Sequence, residues 1–181
     1  MARAFSPEPL DPDLVDHLVT DALRAPSAGN SQGAELVVLV GPEETARYWD
    51  ASLPADRREG FAWPDLLSAP VLVVVLTDPQ HYVDRYAEPD KGQDATTWTT
   101  PYWWVDGGMV AQRLLAGVAD AGLGALFFGV FAQEAAVRAA LGIPERLGIV
   151  GVVALGHALP SRPGRSAARP RRADRIHRGG W

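Results

Sequence analysis

The chain has 181 residues, of which 47% are hydrophobic, and it contains no cysteine. This length is typical of one compact domain, and the lack of cysteine excludes a disulfide framework, a thiolate metal site and a cysteine nucleophile. No apolar run approaches the roughly 20 residues of a membrane-spanning helix, and the N-terminus lacks the apolar core of a signal peptide. We therefore expect a cytoplasmic protein without a membrane segment.

Charge is divided unevenly along the chain. The formal net charge is −5, but the segment after position 160 holds seven arginines and one acidic residue, so it carries +6 while residues 1–160 carry −11. The acidic body disfavours nucleic-acid binding because it would repel a phosphate backbone. The basic tail predicts contact with an acidic surface of this or a partner subunit, or with one small anion. A solvated basic tail is the alternative.

Helices and strands are mixed along the chain without strict alternation. A first helix is capped by Asp11 or Asp13 and runs to about Ala25, before Pro26. Further helices are predicted at 41–53, 64–68, 78–86, 101–121 and 133–141. Strands are predicted at 35–40, 71–76, 125–128 and 149–155. The polar segment 87–100 is predicted to be a long loop of the kind that often covers a site.

This order of elements predicts an α+β fold with a central mixed or antiparallel sheet of four or five strands flanked by helices. The helix predicted at 101–121 is apolar nearly all round, which indicates burial on every face. A subunit interface would explain that pattern, and so would a central position in the core of a monomer.

The turn after the first helix carries the most informative chemistry, in the residues Ala25-Pro26-Ser27-Ala28-Gly29-Asn30-Ser31-Gln32. Its small residues let a flat ligand approach the backbone. Ser27, Asn30 and Gln32 offer hydroxyl and amide groups that both donate and accept hydrogen bonds. This combination suits a heterocycle such as a flavin, and the alternative is an ordinary turn with Asn and Gly at left-handed dihedral angles.

Two other features point to a site. Gly129 ends a predicted strand, where a bare backbone N–H can face a ligand. The aromatic residues Trp98, Tyr102, Trp103 and Trp104 cannot all enter one core, so some of them line a pocket or an interface, or lie scattered on the surface.

The four histidines are isolated in the sequence, so no metal site is predicted. Nucleophile-elbow, P-loop and dinucleotide-binding motifs are absent from the sequence.

Taken in order, these segments resemble the flavin-dependent nitroreductase family over nearly the whole chain. Residues 25–32 are similar to its first flavin-binding motif, and the glycine-rich end of the long helix with Gly129 is similar to its second. Residues 149–156 and the basic tail ending at Trp181 are similar to its C-terminus. Residues 82–92 and 101–106 resemble an actinobacterial-type branch of the family.

The resemblance implies a homodimer with two FMN sites at the subunit interface and the long helix at that interface. Residues 1–160 would form the FMN-binding domain, and residues 161–181 a C-terminal extension that packs on the partner. Hydride would pass from NAD(P)H to the flavin N5 and then, in a ping-pong reaction, to a flat acceptor such as a nitroaromatic or a quinone. No side-chain acid or base is required, so no catalytic residue is assigned.

Two alternatives to this function stay open. One is a flavin-binding or structural subunit without turnover. The other is an oxidoreductase that is linked to a deazaflavin or to a dedicated biosynthetic substrate.

Site residues follow from the resemblance position by position. The ring and ribityl of the flavin would contact Pro26, Ser27, Ala28, Asn30 and Gln32. The backbone N–H of Gly129 would lie near the flavin N5. The substrate pocket would hold Tyr86, Lys91, Tyr102 and Trp103.

The phosphate end departs from the family pattern. The family begins with an arginine-x-serine pair that grips the phosphate, and this chain begins after the position of that pair. Arg3 matches a later basic position of the family. The FMN phosphate is therefore expected to depend on Arg3 and on tail arginines, for which the candidates are Arg169, Arg171 and Arg172.

Overall fold

A central antiparallel sheet organises the fold of the computed structural model, which describes residues 1–130, 133–161, 164, 168–170 and 175–180. Within these residues the sheet has four strands in the order β1-β2-β4-β3. The strands are β1 (Ala34–Val40), β2 (Val71–Thr77), β3 (Gly124–Phe128) and β4 (Gly148–Gly156). All three neighbouring pairs are antiparallel, so the predicted α+β class is confirmed and its sheet is antiparallel.

The α-helices follow the predicted order, as α1 (Pro12–Ala22), α2 (Gly41–Ser52), α3 (Pro79–Ala87), α4 (Tyr102–Asp120) and α5 (Glu134–Leu141). Helix α1 ends earlier than expected because Arg24 and Ala25 donate to the carbonyls three residues before them, which tightens the last turn. The segment 64–68 is a 3₁₀ helix. The predicted loop 87–100 includes a short 3₁₀ turn, Ala95–Thr97.

Both faces of the sheet are covered by helices. Along β2, Val71, Val73 and Val75 pack with residues of α1 and α4, while the residues between them pack with α2 and α5. Every residue of β2 is buried. A strand that is buried on both faces has a continuous apolar sequence rather than an alternating one, which explains the apolar run of β2.

Within this single chain, helix α4 is buried on one face, and the cover that a subunit interface would give its other face stays a prediction. Val110, Leu114 and Val118 pack on the sheet and on α1. The opposite face is mostly exposed and its residues are mostly small or apolar, so the apolar sequence exceeds what this single chain covers. In the described part of the chain, no helix combines the length and the apolar character needed to cross a membrane.

One edge of the sheet gathers the segments of interest. Ala34 at the start of β1 pairs with Thr77 at the end of β2, which pairs with Gly148 at the start of β4. Phe128 at the end of β3 pairs with Val152 nearby on β4. The turn before β1, the start of α3 after β2, and Gly129 after β3 therefore all emerge at this edge.

Candidate functional site

The turn between α1 and β1 has an unusual backbone. Gly29, Asn30 and Gln32 have φ angles of 62°, 56° and 52°, which lie in the left-handed region. Residues other than glycine rarely adopt this region, and such conformations persist only where the surrounding structure enforces them. The turn is therefore more constrained than an ordinary surface turn.

Contacts from distant elements hold this turn. The backbone N–H of Ala28 donates to the Asp106 carboxylate of α4 at 2.8 Å. Arg85 of α3 donates from Nε to the Gly29 carbonyl at 2.9 Å. Within the turn, the Gln32 N–H donates to the Ser27 hydroxyl at 3.0 Å. The exposed side chains of Asn30 and Gln32 are left at the rim of the turn.

A cavity of about 240 Å³, here called the turn cavity, lies beneath the turn, and Pro26, Ser27 and Gln32 line it. Asp106 (2% exposed) and the fully buried Tyr82 also line it. The Tyr82 hydroxyl lies near Asp106 without a hydrogen bond of good geometry. Burial, reinforced by the Asp106 carboxylate, raises the pKa of Tyr82 well above its usual range, so the phenol stays neutral beside the turn.

Asp106 and Arg85 are site residues that the sequence did not reveal as such. Asp106 is the one charged residue in the otherwise apolar segment 101–111, and a lone acid there is a signal that favours a specific role. Arg85 has no comparable signal, because its contact with Gly29 spans 56 residues of sequence.

The four residues predicted for a substrate pocket lie in one aromatic cluster around Trp98. Ring centroids of Tyr86, Tyr102 and Trp103 lie 4.5, 5.5 and 6.3 Å from that of Trp98. The ammonium of Lys91 lies 5.4 Å from the Tyr86 ring. The Tyr86 ring packs against Gly29, where an added Cβ would lie 2.8 Å from it. The cluster therefore supports the turn from its outer side, and these four residues do not line the turn cavity.

Gly129 lines a second cavity, of about 360 Å³, on the α2 side of the sheet. Trp49, Phe61, Trp63 and Phe128 also line it, so it is here called the aromatic cavity. The aromatic cavity and the turn cavity share no lining residue. Within one chain, the fold therefore places Gly129 and the turn at the same sheet edge but on opposite faces.

Arg3 lies at a third cavity, of about 260 Å³, together with Asp65 and Ser161. Its guanidinium lies 5.5 Å from the centroid of the Trp63 ring. Gly164 of the tail packs against it, since a Cβ there would lie 2.9 Å from Arg3 Nη2. Of the other proposed phosphate residues, Arg169 is exposed, and Arg171 and Arg172 lie outside the described residues.

The fold also brings together a cluster that the sequence did not predict. Side-chain atoms of Glu35, Asp78 and His81 lie within 4.8 Å of one another, although the histidines are isolated in the sequence. Asp78 already caps α3 through the Gln80 N–H and accepts from Arg146 Nε at 3.1 Å. The buried Asp78 carboxylate is thus already paired with a cation, Arg146. The arrangement therefore favours a structural ion pair at this position.

Known proteins resemble this chain in sequence and in fold. An Archaeoglobus fulgidus protein, provisionally named NADH dehydrogenase/NAD(P)H nitroreductase, is 26% identical, and the match covers 99% of this chain and 92% of that protein. The structure of an FMN-dependent nitroreductase from Clostridium difficile matches with a TM-score of 0.70 at 15% identity, over 99% of this chain and 94% of that one. A protein of Clostridium acetobutylicum, provisionally named NADH oxidase, matches with a TM-score of 0.70 at 20% identity, over 99% and 95% of the two chains.

At these identities the two solved structures establish the fold alone. The sequence supplies the rest, because residues 1–157 match the model of the nitroreductase family. That match includes the turn, the long helix α4 and Gly129, which are the segments on which the expectation was based. The chain therefore belongs to the nitroreductase family.

Proposed function

We propose that this chain is an FMN-dependent oxidoreductase that takes hydride from NAD(P)H and passes it, in a ping-pong reaction, to a flat acceptor such as a nitroaromatic or a quinone. The observation that carries the proposal is the turn at residues 25–32, which distant side chains hold in a left-handed conformation in a member of the nitroreductase family. The names of relatives support the nicotinamide and the flavin.

The donor set of the turn fits the edge of a flavin. The side-chain amides of Asn30 and Gln32 both donate and accept, as a ring edge with alternating carbonyl and N–H groups requires. Pro26, Ser27 and Ala28 would pack against the ring or ribityl. A bound flavin supplies the hydride chemistry, and the protein supplies binding and orientation.

Two copies of the chain are needed to complete this site. The turn and Gly129 border cavities on opposite faces of the sheet in one chain. A symmetric homodimer would bring the turn of one subunit to Gly129 of the other. Residues 161–181 would pack on the partner as a C-terminal extension of the domain formed by residues 1–160.

The exposed face of α4 supports this assembly. It presents a stripe of small or apolar residues interrupted by one glutamine, at helical spacing. The stripe consists of Val105, Gly108, Gln112, Leu115, Ala116 and Ala119. Beside it lies a groove of about 540 Å³ that Met1, Leu115 and Leu159 help to line.

The phosphate would be held by Arg3 with help from Arg169, Arg171 and Arg172. Arg3 supports this assignment because it borders a cavity at the surface and is contacted by the tail at Gly164. Arginine suits a phosphate because its planar fork donates two parallel hydrogen bonds. Replacing Arg171 and Arg172 with alanine should weaken FMN binding in a flavin titration, and unchanged affinity would remove these two residues from the phosphate site.

An anaerobic absorption experiment tests the proposal. We expect the purified protein, with FMN added, to show a bound flavin spectrum that NADH or NADPH bleaches and that a nitroaromatic or a quinone restores. A protein that ignores FMN would refute the proposal. A flavin that binds but is never reduced would instead favour a flavin-binding subunit without turnover.

A further inference from the structure

The turn cavity contains one charged side chain. Of the described residues that line it, Asp106 alone bears a formal charge, and the others are apolar or neutral. Residues 25–32, which form the turn, also have no charged side chain. Asp106 is only 2% exposed, and the buried side chains of Tyr82 and Val110 line the same cavity. A negative charge therefore lies in an interior of low polarity beside the turn.

No cation forms an ion pair with Asp106 in the part of the chain that the structure describes. Its carboxylate accepts the Ala28 N–H at 2.8 Å. Arg85, the arginine that contacts the turn, forms its ion pairs with Glu88 and Asp90 instead. The charge of Asp106 is thus stabilised by a hydrogen bond but not neutralised by these groups.

A fixed charge at this position would affect a flavin because reduction changes the charge of the flavin ring. A hydride from NAD(P)H carries two electrons and one proton to the flavin N5, so the ring gains one negative charge while the nicotinamide is oxidised. A nearby carboxylate repels that new charge, and the repulsion is stronger in a weakly polar interior than in water. The neutral ring of the oxidised flavin is not repelled in this way.

We propose that Asp106, besides positioning the turn, lowers the reduction potential of the flavin bound there through its buried negative charge. This inference rests on the proposed function, because it takes the flavin to contact residues 25–32. The hydrogen bond from the Ala28 N–H serves both roles, since it anchors the turn and holds the carboxylate next to it. A lower potential makes the reduced flavin a stronger reductant, which suits an acceptor that is hard to reduce, such as a nitroaromatic.

Asp106→Asn separates the charge from the positioning. Asparagine has nearly the same shape and keeps a carbonyl oxygen that can accept the Ala28 N–H, so chiefly the charge is lost. The FMN-loaded protein is reduced stepwise with a chemical reductant and a reference dye, without NAD(P)H, and the midpoint potential is read from the absorption spectra. We expect the ratio of reduced to oxidised flavin at a fixed potential to rise roughly 3- to 30-fold, which is about 15 to 45 mV for a two-electron couple.

Three further variants support this experiment. Asp21→Asn removes an acid that is already paired with Arg113, and it should leave the potential unchanged. Leu23 lines the turn cavity and is 47% exposed, so Leu23→Lys should fold and bring a cation towards Asp106. It should raise the potential, whereas the neutral Leu23→Gln should not.

The proposal is overturned if Asp106→Asn binds FMN with the potential of the wild type, or if Asp21→Asn shifts the potential equally. If Asp106→Asn does not fold, Leu23→Lys decides. An unchanged potential in that variant would overturn the proposal, and a rise that is absent from Leu23→Gln would support it.

Failure of the proposed function has a different signature. A flavin whose potential depends on Asp106, but which NAD(P)H does not reduce, would refute the proposed function and leave this inference standing. A wild-type protein that does not bind FMN would refute both.

Discussion

At the scale of single residues, the site depends on side chains that are far from it in sequence. Asp106 carries a carboxylate into the interior of the protein, where it accepts the N–H of Ala28. A buried charge is costly unless it is hydrogen-bonded. The hydrogen bond from the Ala28 N–H offsets part of this cost and at the same time anchors the turn to α4.

Gly29 is the residue of the turn whose replacement has the clearest predicted effect. In Gly29→Ala, the alanine would have to adopt the left-handed φ of 62°. Its Cβ would also lie 2.8 Å from the Tyr86 ring. We expect a loss of about 1–3 kcal/mol in the free energy of unfolding, together with weaker FMN binding. Urea denaturation and a flavin titration measure the two effects.

Gly142→Ala is the matched control for this prediction. Gly142 has a similar φ of 68° but no atom within 4 Å of the position of an added Cβ. It should cost about 1 kcal/mol and leave FMN affinity unchanged. Equal losses for the two variants would show that the contact with Tyr86 does not constrain the turn.

The buried phenol of Tyr48 should make the free energy of unfolding depend on pH in the alkaline range. Burial raises its pKa to about 12 from the usual 10.0. Because the folded state keeps the proton at a pH where the unfolded state loses it, stability is fully retained below pH 10 and falls as pH rises from 10 towards 12. Tyr48→Phe should show a shallower loss than the wild type over that window.

Urea denaturation at intervals from about pH 8 to about pH 11.5 measures this dependence. Between about pH 8 and 9.5 the difference between the two proteins should be constant, because the phenol is neutral in both the folded and the unfolded state. The same slope in both proteins above about pH 10 would contradict the assignment to Tyr48. The buried Tyr82 should contribute a residual slope of the same sign in the variant, since its pKa is also raised.

At the scale of elements, Arg85 connects α3, the turn and the loop that follows α3. It donates to the Gly29 carbonyl and forms a two-pronged ion pair with Asp90. The loop that begins at Glu88 is thereby attached to the same helix that holds the turn.

Replacing Arg85 with lysine should loosen both segments at once. Lysine keeps the charge but lacks the planar fork that reaches Gly29 and Asp90 together. We expect faster amide exchange in residues 27–33 and 87–94, measured by hydrogen–deuterium exchange with mass spectrometry. Exchange that quickens in only one of the two segments would argue against Arg85 as the connection.

Arg58 provides a control of the same chemistry elsewhere. It also joins a backbone carbonyl, that of Leu53, to a carboxylate, that of Asp50. Arg58→Lys should quicken exchange near residues 50–58 and leave the turn unaffected.

At the scale of the whole molecule, the separation of the turn from Gly129 is the basis of the proposed two-subunit site. We expect the protein to run at about twice its chain mass of 19.4 kDa. Gly108 lies in the exposed stripe of α4, with no atom within 4 Å of an added Cβ. Gly108→Arg should therefore fold but place a charge in the interface, and so yield monomers that bind FMN weakly.

Light scattering after size exclusion, combined with a flavin titration, measures this outcome. Ala139→Arg adds the same charge on the exposed side of α5 and should leave both the mass and the FMN affinity unchanged. A Gly108→Arg dimer with normal FMN affinity would move the interface away from this stripe. A monomeric wild type that binds FMN fully would contradict the two-subunit site.

The sequence by itself determined the elements and the family. Helix caps, glycines, prolines and apolar runs act over a few residues, so the four strands and the order of the helices could be predicted from local patterns. The turn at residues 25–32 could be recognised in the same way, because its chemistry lies in consecutive residues.

Only the tertiary structure decided how these parts meet. The turn is anchored by Asp106, 78 residues from Ala28 in the chain, and such a contact leaves no local pattern. Likewise, the faces to which Gly129 and the turn belong follow from the strand order β1-β2-β4-β3 and the register of its pairs. A shift of one residue in register would move each side chain to the other face of the sheet, which is why the sequence could name these residues but could not place them relative to one another.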